Sequence, residues 1–255
     1  MSTPPVVLVT AGSAGVGAAT AKVFATAGYR VVINYSSNEK RASDLLVELE
    51  RLSSIGPSKD AKQNFLSIKA DLTQMSDIAR LVDEVISGMG RLDVVFSNGG
   101  WTVVTNFNDL EDNLDEDIWD RCWNMNVKSH LWLFHAAKKH LEAAEGCFIT
   151  TASLAGVKPS GSSIAYSVTK AAQLHLVKTL ATISGPHIRV NSVSPGLLLT
   201  EWGLKFPQEK LDASKAKTKL NRFATVEDVA EQVLCFAKSK SVTGSNAIID
   251  AGWSL

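Results

Sequence analysis

Short β-branched and aliphatic runs alternate with helix-period stretches along the whole chain. Val6–Thr10, Arg30–Tyr35, Asn64–Lys69, Asp93–Ser97, Cys147–Thr151, Ile188–Val193 and Ala247–Asp250 are nearly continuous apolar runs. Such runs are the pattern of strands buried on both faces. Between them, apolar positions recur at helical spacing in Gly17–Thr26, Glu39–Leu52, Ser76–Ser87, Glu116–Leu141, Ser163–Ile183 and Val226–Ala237. Gly28, Gly56-Pro57, Gly90, Gly146 and Gly185-Pro186 stand at the joints, where chain breakers belong. This repeated order predicts an α/β fold, a doubly wound parallel sheet of about seven strands with right-handed crossovers and helices on both faces.

The 255 residues, 45% hydrophobic and 20% charged, suffice for a sizeable core within one domain. No linker, repeat or low-complexity segment divides them, so residues 1–255 are read as a single domain. The one long irregular stretch, Pro195–Leu220, would hang over the C-terminal strand ends, where ligands of such sheets bind. It is expected to be a substrate lid. The lysines near its end alternate with acids and small residues, as in a solvated helix or loop.

Charge narrows the partners. Lys and Arg total 26, as do Asp and Glu, which argues against nucleic acid or an anionic membrane as main partner. Neither a membrane-length apolar run nor a signal-peptide pattern is visible, so a soluble, cytoplasmic protein is expected. Cys122, Cys147 and Cys235 form no C-x-x-C pair and read as buried, reduced thiols. His130, His135 and His140 do not share one helical face and read as ordinary helix residues. No metal site is expected from them or from the acidic stretch Asp109–Asp117, whose charges suit a helix start.

Candidate chemistry begins after the first strand. Thr10-Ala11-Gly12-Ser13-Ala14-Gly15-Val16-Gly17 runs straight into a helix. Glycines there let backbone approach a pyrophosphate, and the helix N-terminus offers free N–H groups. The segment resembles the T-G-x-x-x-G-x-G cofactor motif of the short-chain dehydrogenase/reductase family, which has a single-domain Rossmann-like fold. Thr10, Gly15 and Gly17 match, while Ala11 stands at the family's first glycine and adds a methyl group. Asp71-Leu72 resembles the family's acidic-aliphatic pair at the adenine ring, although a bare Asp there would equally serve as a helix N-cap. Asn98-Gly99-Gly100 resembles its N-N-A-G motif at the end of the fourth strand.

Ala165-Tyr166-Ser167-Val168-Thr169-Lys170 contains Y-x-x-x-K, which sets phenol and ammonium on one helical face. Alone, that spacing also fits a surface helix with a snorkelling lysine. Ser153 and Asn126 lie upstream at positions resembling the family's strand-end serine and helix asparagine. Pro195-Gly196, with Thr200 completing P-G-x-x-x-T, resembles the exit of its sixth strand. The resemblance runs from about residue 6 to 254. It implies an NAD(P)-dependent oxidoreductase that interconverts a ketone and a secondary alcohol. Tyr166 would be acid/base, Lys170 would lower its pKa and hold the nicotinamide ribose, and Ser153 would orient the substrate oxygen. Asn126 would hold a water linking Lys170 to solvent; its bland alternative is a polar residue satisfying local backbone.

The second strand ends in Tyr35-Ser36-Ser37-Asn38 with no acid before Glu39. Hydroxyl and amide donors favour an anion there, so NADP is expected over NAD. A substrate pocket is expected around Trp101, Leu154 and Trp202. The helix over 116–141 and the one carrying Tyr166 commonly pair between subunits in this family, which implies a homodimer or homotetramer acting on a small-molecule carbonyl or alcohol. An NAD-dependent dehydrogenase, an epimerase or dehydratase, and a cofactor-binding regulator are the other readings the scaffold allows.

Overall fold

In a computed structural model describing residues 3–56 and 63–255, the apolar runs form one 7-stranded parallel sheet. The chain runs β1 (Val6–Val9), α1 (Gly15–Thr26), β2 (Arg30–Tyr35), α2 (Glu39–Leu52), β3 (Phe65–Lys69), α3 (Met75–Met89) and β4 (Val94–Ser97). It continues through α4 (Glu116–Trp123), α5 (Ser129–Ala143), β5 (Cys147–Thr151), α6 (Ile164–Ser184), β6 (Arg189–Pro195), α7 (Gln208–Lys217), α8 (Val226–Lys238) and β7 (Asn246–Ile249). Element ends depart from the sequence expectation by about a helical half-turn at most, the usual fraying. Pro57, expected at a joint, lies outside the described residues.

Alternation along the strands builds two cores. Val7, Val9, Ile33, Phe96 and Ile149 point to one face and pack with Phe24, Leu49, Val229 and Val233 from α1, α2 and α8. Val6, Leu8, Val32, Val95 and Phe148 point to the other and pack with residues of α3, α5 and α6. There Phe134 and Phe148 meet edge to face at 5.2 Å. Each such side chain contributes about 1.5–3 kcal/mol by leaving water, so no strand needs a polar face. The sheet order is β3-β2-β1-β4-β5-β6-β7. Order reverses between β1 and β4, which opens a crevice beyond their C-terminal ends.

Three expectations need correction. The helix over 116–141 is broken by a π-helical turn, Asn124–Lys128; the wider turn takes in about one extra residue and rotates the helix after it relative to the helix before it. Residues 195–220 are not irregular throughout: a 3-10 turn spans Gly203–Lys205 and α7 follows. Only Leu211 of α7 is buried, so no apolar stripe announces it, and Lys215 and Lys217 suit its C-terminal dipole end. Cys235 is exposed while Cys122 and Cys147 are buried, all three as free thiols.

Candidate active site

The crevice is shaped by glycines that leave no space for a side chain. A Cβ on Gly17 would fall 2.4 Å from the Ala11 carbonyl oxygen and 3.0 Å from Asn98 Nδ2. One on Gly12 would meet Ile33 Cβ and the Val9 carbonyl oxygen, each at 2.8 Å. Gly15 adopts φ +51°, and a Cβ there would touch Thr200 Cγ2 at 3.5 Å. Thr200 thus brings the segment that follows β6 against the loop. Val16 packs inward against the core, and Ser13 is half-buried. No side chain caps α1, so its first N–H groups stay available to an anion. Ala11 itself sits at φ +47°, a left-handed conformation in which glycine is unstrained and alanine is not. The departure from the family motif is therefore a backbone matter as well as an added methyl.

Neighbouring loops are tied to this one. The Asn98 N–H donates to Thr10 Oγ1 (2.9 Å), and Thr10 Oγ1 donates in turn to the Phe96 carbonyl (3.4 Å). Asn98 Oδ1 accepts from Thr151 Oγ1 at 2.9 Å, so Asn98 joins β1, β4 and β5. Gly99 leaves room for Leu72, whose Cδ1 would lie 2.6 Å from an added Cβ. Asp71 does not cap α3, where Gln74 holds the N-cap position; its Oδ1 accepts from the Thr73 N–H and Oγ1 instead. Gly196 donates to the Ile249 carbonyl and packs on Asp250, which ties the end of β6 to the end of β7.

A cleft of about 1070 Å³ runs from Ala11 and Ser36 past Asp71 and Leu72 to Gly100 and Trp101. At its β2 end Ser36, Ser37 and Asn38 are exposed, and Asn38 Oδ1 caps α2 by accepting from the Arg41 N–H at 2.9 Å. Tyr35 is different: its side chain is buried in the core, because β2 alternation turns it under α2. Arg41 was missed. Its guanidinium pairs with Glu201, in the segment after β6, at 2.8 Å, and the signal for it was a cation in a helix's first turn, against the macrodipole. Trp101 and Trp202 both line the cleft, Trp101 lying under Arg121 with the guanidinium carbon 4.3 Å from the ring centroid. Leu154 is buried.

The catalytic candidates converge under Gly100. Ser163 caps α6 by accepting from the Tyr166 N–H at 3.2 Å, which starts the helix so that Tyr166 and Lys170 share a face. Lys170 Nζ donates to the Thr151 carbonyl at 2.7 Å and lies 5.6 Å from the Tyr166 ring centroid. A Cβ on Gly100 would sit 3.6 Å from that Nζ and 3.5 Å from Asn126 Oδ1, so Gly100 is the thin wall between the cleft and the candidate catalytic groups. Asn126, on the π-helical turn and fully buried, clamps the next residue: Oδ1 accepts from the Trp101 N–H at 2.8 Å and Nδ2 donates to the Trp101 carbonyl at 2.9 Å. Its amide also donates to Thr169 Oγ1 at 3.1 Å. The alternative of a polar residue satisfying backbone is thus what its side chain does here.

Residues 10–254 match the family model described as enoyl-(acyl carrier protein) reductase. The chain belongs to the short-chain dehydrogenase/reductase family. It is 36% identical to the secoisolariciresinol dehydrogenase of Forsythia intermedia, over 98% of this chain and 89% of the relative. It is 30% identical to the 3-oxoacyl-(acyl-carrier-protein) reductase of Thermotoga maritima, over 97% of this chain and 96% of the relative. A short-chain dehydrogenase from Burkholderia cenocepacia in complex with NADP has the same fold, with TM-score 0.86 and 28% identity over 98% of this chain and 97% of that one.

Electrostatics in this short-chain dehydrogenase/reductase are set by burial. The Tyr166 phenol is pushed above its ordinary value by burial, with the Ser153 hydrogen bond pulling the other way and the Cys122 thiol adding to the rise. Burial lowers the Lys170 ammonium to about 7. Ser153 Oγ also accepts from the Ala155 N–H at 3.1 Å, opening the 3-10 turn Leu154–Gly156. His130, on α5, is fully buried and hydrogen-bonded to Ser97, and Gln173 is equally buried beside it. Gln173 was overlooked, and His130 was read only as an ordinary helix residue. The available signal was polar residues interrupting apolar stripes, His130 among Leu133, Phe134 and Ala137, Gln173 ahead of Val177 and Leu180. Among the described residues no helix is long and apolar enough to cross a membrane.

Proposed function

We propose that this protein is an NADP(H)-dependent oxidoreductase that interconverts a ketone and a secondary alcohol. The observation that carries the reading is Tyr166, its pKa drawn down by Ser153 against the effect of burial, one turn from Lys170 and behind the Gly100 wall of a glycine-cradled cleft. The cleft suits a dinucleotide: Gly12 and Gly17 have no space for a Cβ, and the uncapped α1 N-terminus faces the loop. When bound, a nicotinamide cofactor supplies or accepts the hydride. Tyr166 Oη gives its proton to the substrate oxygen during reduction and recovers it during oxidation. Ser153 Oγ donates a hydrogen bond to that oxygen and fixes its position. Lys170, when charged, favours the phenolate.

Preference for NADP is supported by the absence of an acid at the end of β2 and by Arg41 on the first turn of α2. A guanidinium there forks naturally to a 2′-phosphate. The NADP bound by the Burkholderia cenocepacia relative agrees with this reading. A homo-oligomer formed through α4, α5 and α6 is supported by apolar side chains left exposed on them, Trp123, Leu131 and Val168. The free thiols are in keeping with a cytoplasmic location.

The test is a panel of ketones assayed with NADPH and with NADH, following loss of the reduced cofactor. Tyr166→Phe is expected to bind NADPH normally while kcat/KM falls by about 100-fold or more. Full activity in that variant removes Tyr166 from the chemistry. Arg41→Ala is expected to raise the KM for NADPH by about tenfold, at about 1.4 kcal/mol, and to leave NADH unaffected. A wild-type enzyme that prefers NADH overturns the cofactor assignment.

A further inference from the structure

Behind the catalytic lysine lies a chain of buried polar groups that the proposed chemistry does not use. Lys170 Nζ donates to Gln173 Oε1 at 2.9 Å as well as to the Thr151 carbonyl. Gln173 Nε2 donates to the same Thr151 carbonyl at 3.2 Å and lies 3.0 Å from His130 Nε2. His130 Nδ1 lies 2.6 Å from Ser97 Oγ, on the last residue of β4. Lys170, Gln173 and His130 are all buried, with exposures of 2%, 0% and 0%.

Hydrogen-bond direction then follows by elimination. An ammonium has donors only, so Gln173 must turn its oxygen toward Lys170, which leaves its NH₂ facing His130. Two donors cannot share one contact, so His130 Nε2 is the bare acceptor and Nδ1 carries the hydrogen, donating to Ser97 Oγ. The three bonds all point away from Lys170, the arrangement in which each polarises the next.

We propose that His130 and Gln173 are positioning residues for Lys170: the neutral, Nδ1-protonated imidazole locks the Gln173 amide with its oxygen on the ammonium, and that oxygen helps to keep Lys170 charged against the Gly100 wall. The inference rests on the reading of Lys170 as part of the reaction. Reversing the amide would aim an N–H donor at the cation, a clash that no tautomer of His130 can relieve. Burial, helped by the Lys170 charge, holds His130 well below its usual pKa, so the lock stays set at neutral pH. The titratable groups facing this chain among the described residues are Tyr166 on α6, Cys122 on α4 and His130 on α5. β4 and β5 contribute only the Ser97 hydroxyl and the Thr151 carbonyl.

The experiment follows the full chain labelled with ¹⁵N at histidine and at lysine Nζ, by NMR, with NADPH binding measured alongside. Wild-type His130 should show the neutral Nδ1–H tautomer at pH 7. Gln173→Glu, nearly isosteric, should raise the Lys170 midpoint by about one unit or more, since a carboxylate replaces the amide oxygen. Gln173→Leu should lower it, and His130→Leu should lower it less, by freeing the amide to turn. With a substrate from the ketone panel, Gln173→Glu should move the pH profile of kcat in step with that midpoint and leave KM within about twofold, a change of about 0.4 kcal/mol.

An Nε2–H tautomer or a charged His130 at pH 7 overturns the proposal on the wild-type protein alone, whatever the variants do. So does a Lys170 midpoint that stays put in both Gln173 variants. None of these spectra needs turnover. If Tyr166→Phe kept full activity while the Lys170 midpoint still followed Gln173, the reaction assignment would fail and the positioning chain would stand.

Discussion

Asn126→Ala separates two jobs that the asparagine could do. The side chain makes three hydrogen bonds, to the Trp101 N–H, the Trp101 carbonyl and Thr169 Oγ1. Each contributes about 1 kcal/mol net, and a buried partner left unmade costs a further 1–3 kcal/mol or so. Trp101 is only half-buried, so water can reach part of its backbone, and a loss of about 3 kcal/mol is the reasonable sum. For a chain of this size that lowers Tm by roughly 6–12 °C. The freed Gly100–Trp101 backbone forms the cleft wall, so NADPH affinity should fall as well, by about tenfold. Thermal melts with and without NADPH, together with steady-state kinetics, read all three. If Asn126 served only to hold a water for Lys170, the variant would melt like wild type and lose turnover alone. A Tm within about 2 °C of wild type, where the hydrogen-bond sum requires several degrees, refutes the clamp.

Two further outcomes follow from the same site. Ala11→Gly relieves a left-handed alanine at φ +47°, a strain of about 1–2 kcal/mol, partly offset by the extra freedom of glycine in the unfolded chain. Urea unfolding should show a stability gain of about 0.5–1 kcal/mol at unchanged m value, and an unchanged or lower midpoint contradicts the strain. Lys170 releases its proton near 7 in the fold but only near 10.4 when unfolded. The unfolded state therefore binds more protons between these values, so wild-type stability rises with pH across that window, and the burial penalty is fully present below about 7. Lys170→Met removes the penalty, so its stability relative to wild type should be highest near neutrality and decline toward about pH 10; parallel stability–pH curves for the two proteins would show that Lys170 is not neutralised by burial.

How much could be read beforehand depended on whether a feature leaves a periodic or a punctual trace. The strands were legible because a sheet covered on both faces needs unbroken apolar runs, and Val6–Val9 and Arg30–Tyr35 are buried at every position. Tyr166, Lys170, Ser153 and the glycine loop were legible as motifs in a fixed order. Helix α7 was not, since a helix that buries only Leu211 has no stripe to detect. Nor was the π-helical turn at Asn126, because apolar positions still recur at helical spacing on each side of it and only the phase between the two halves shifts, by about 100°. Tyr35 is a related case: a residue at a strand end can face groove or core, and here its side chain joins Val31 and Ile33 in the core.

The lysine's surroundings show a third kind of trace. His130 and Gln173 each interrupt an apolar stripe, and each interruption alone looks like a tolerated polar residue. Their meaning lies in the pairing, which needs α5 and α6 to bring the two gaps face to face. A buried amide between a cation and an imidazole has one orientation that satisfies both neighbours. The pair therefore fixes a hydrogen-bond direction as well as filling space, and an apolar substitute of equal volume could do only the second. The family motif names the lysine; the side chains that hold its ammonium against burial lie outside the motif, on stripes where only the fold can match them.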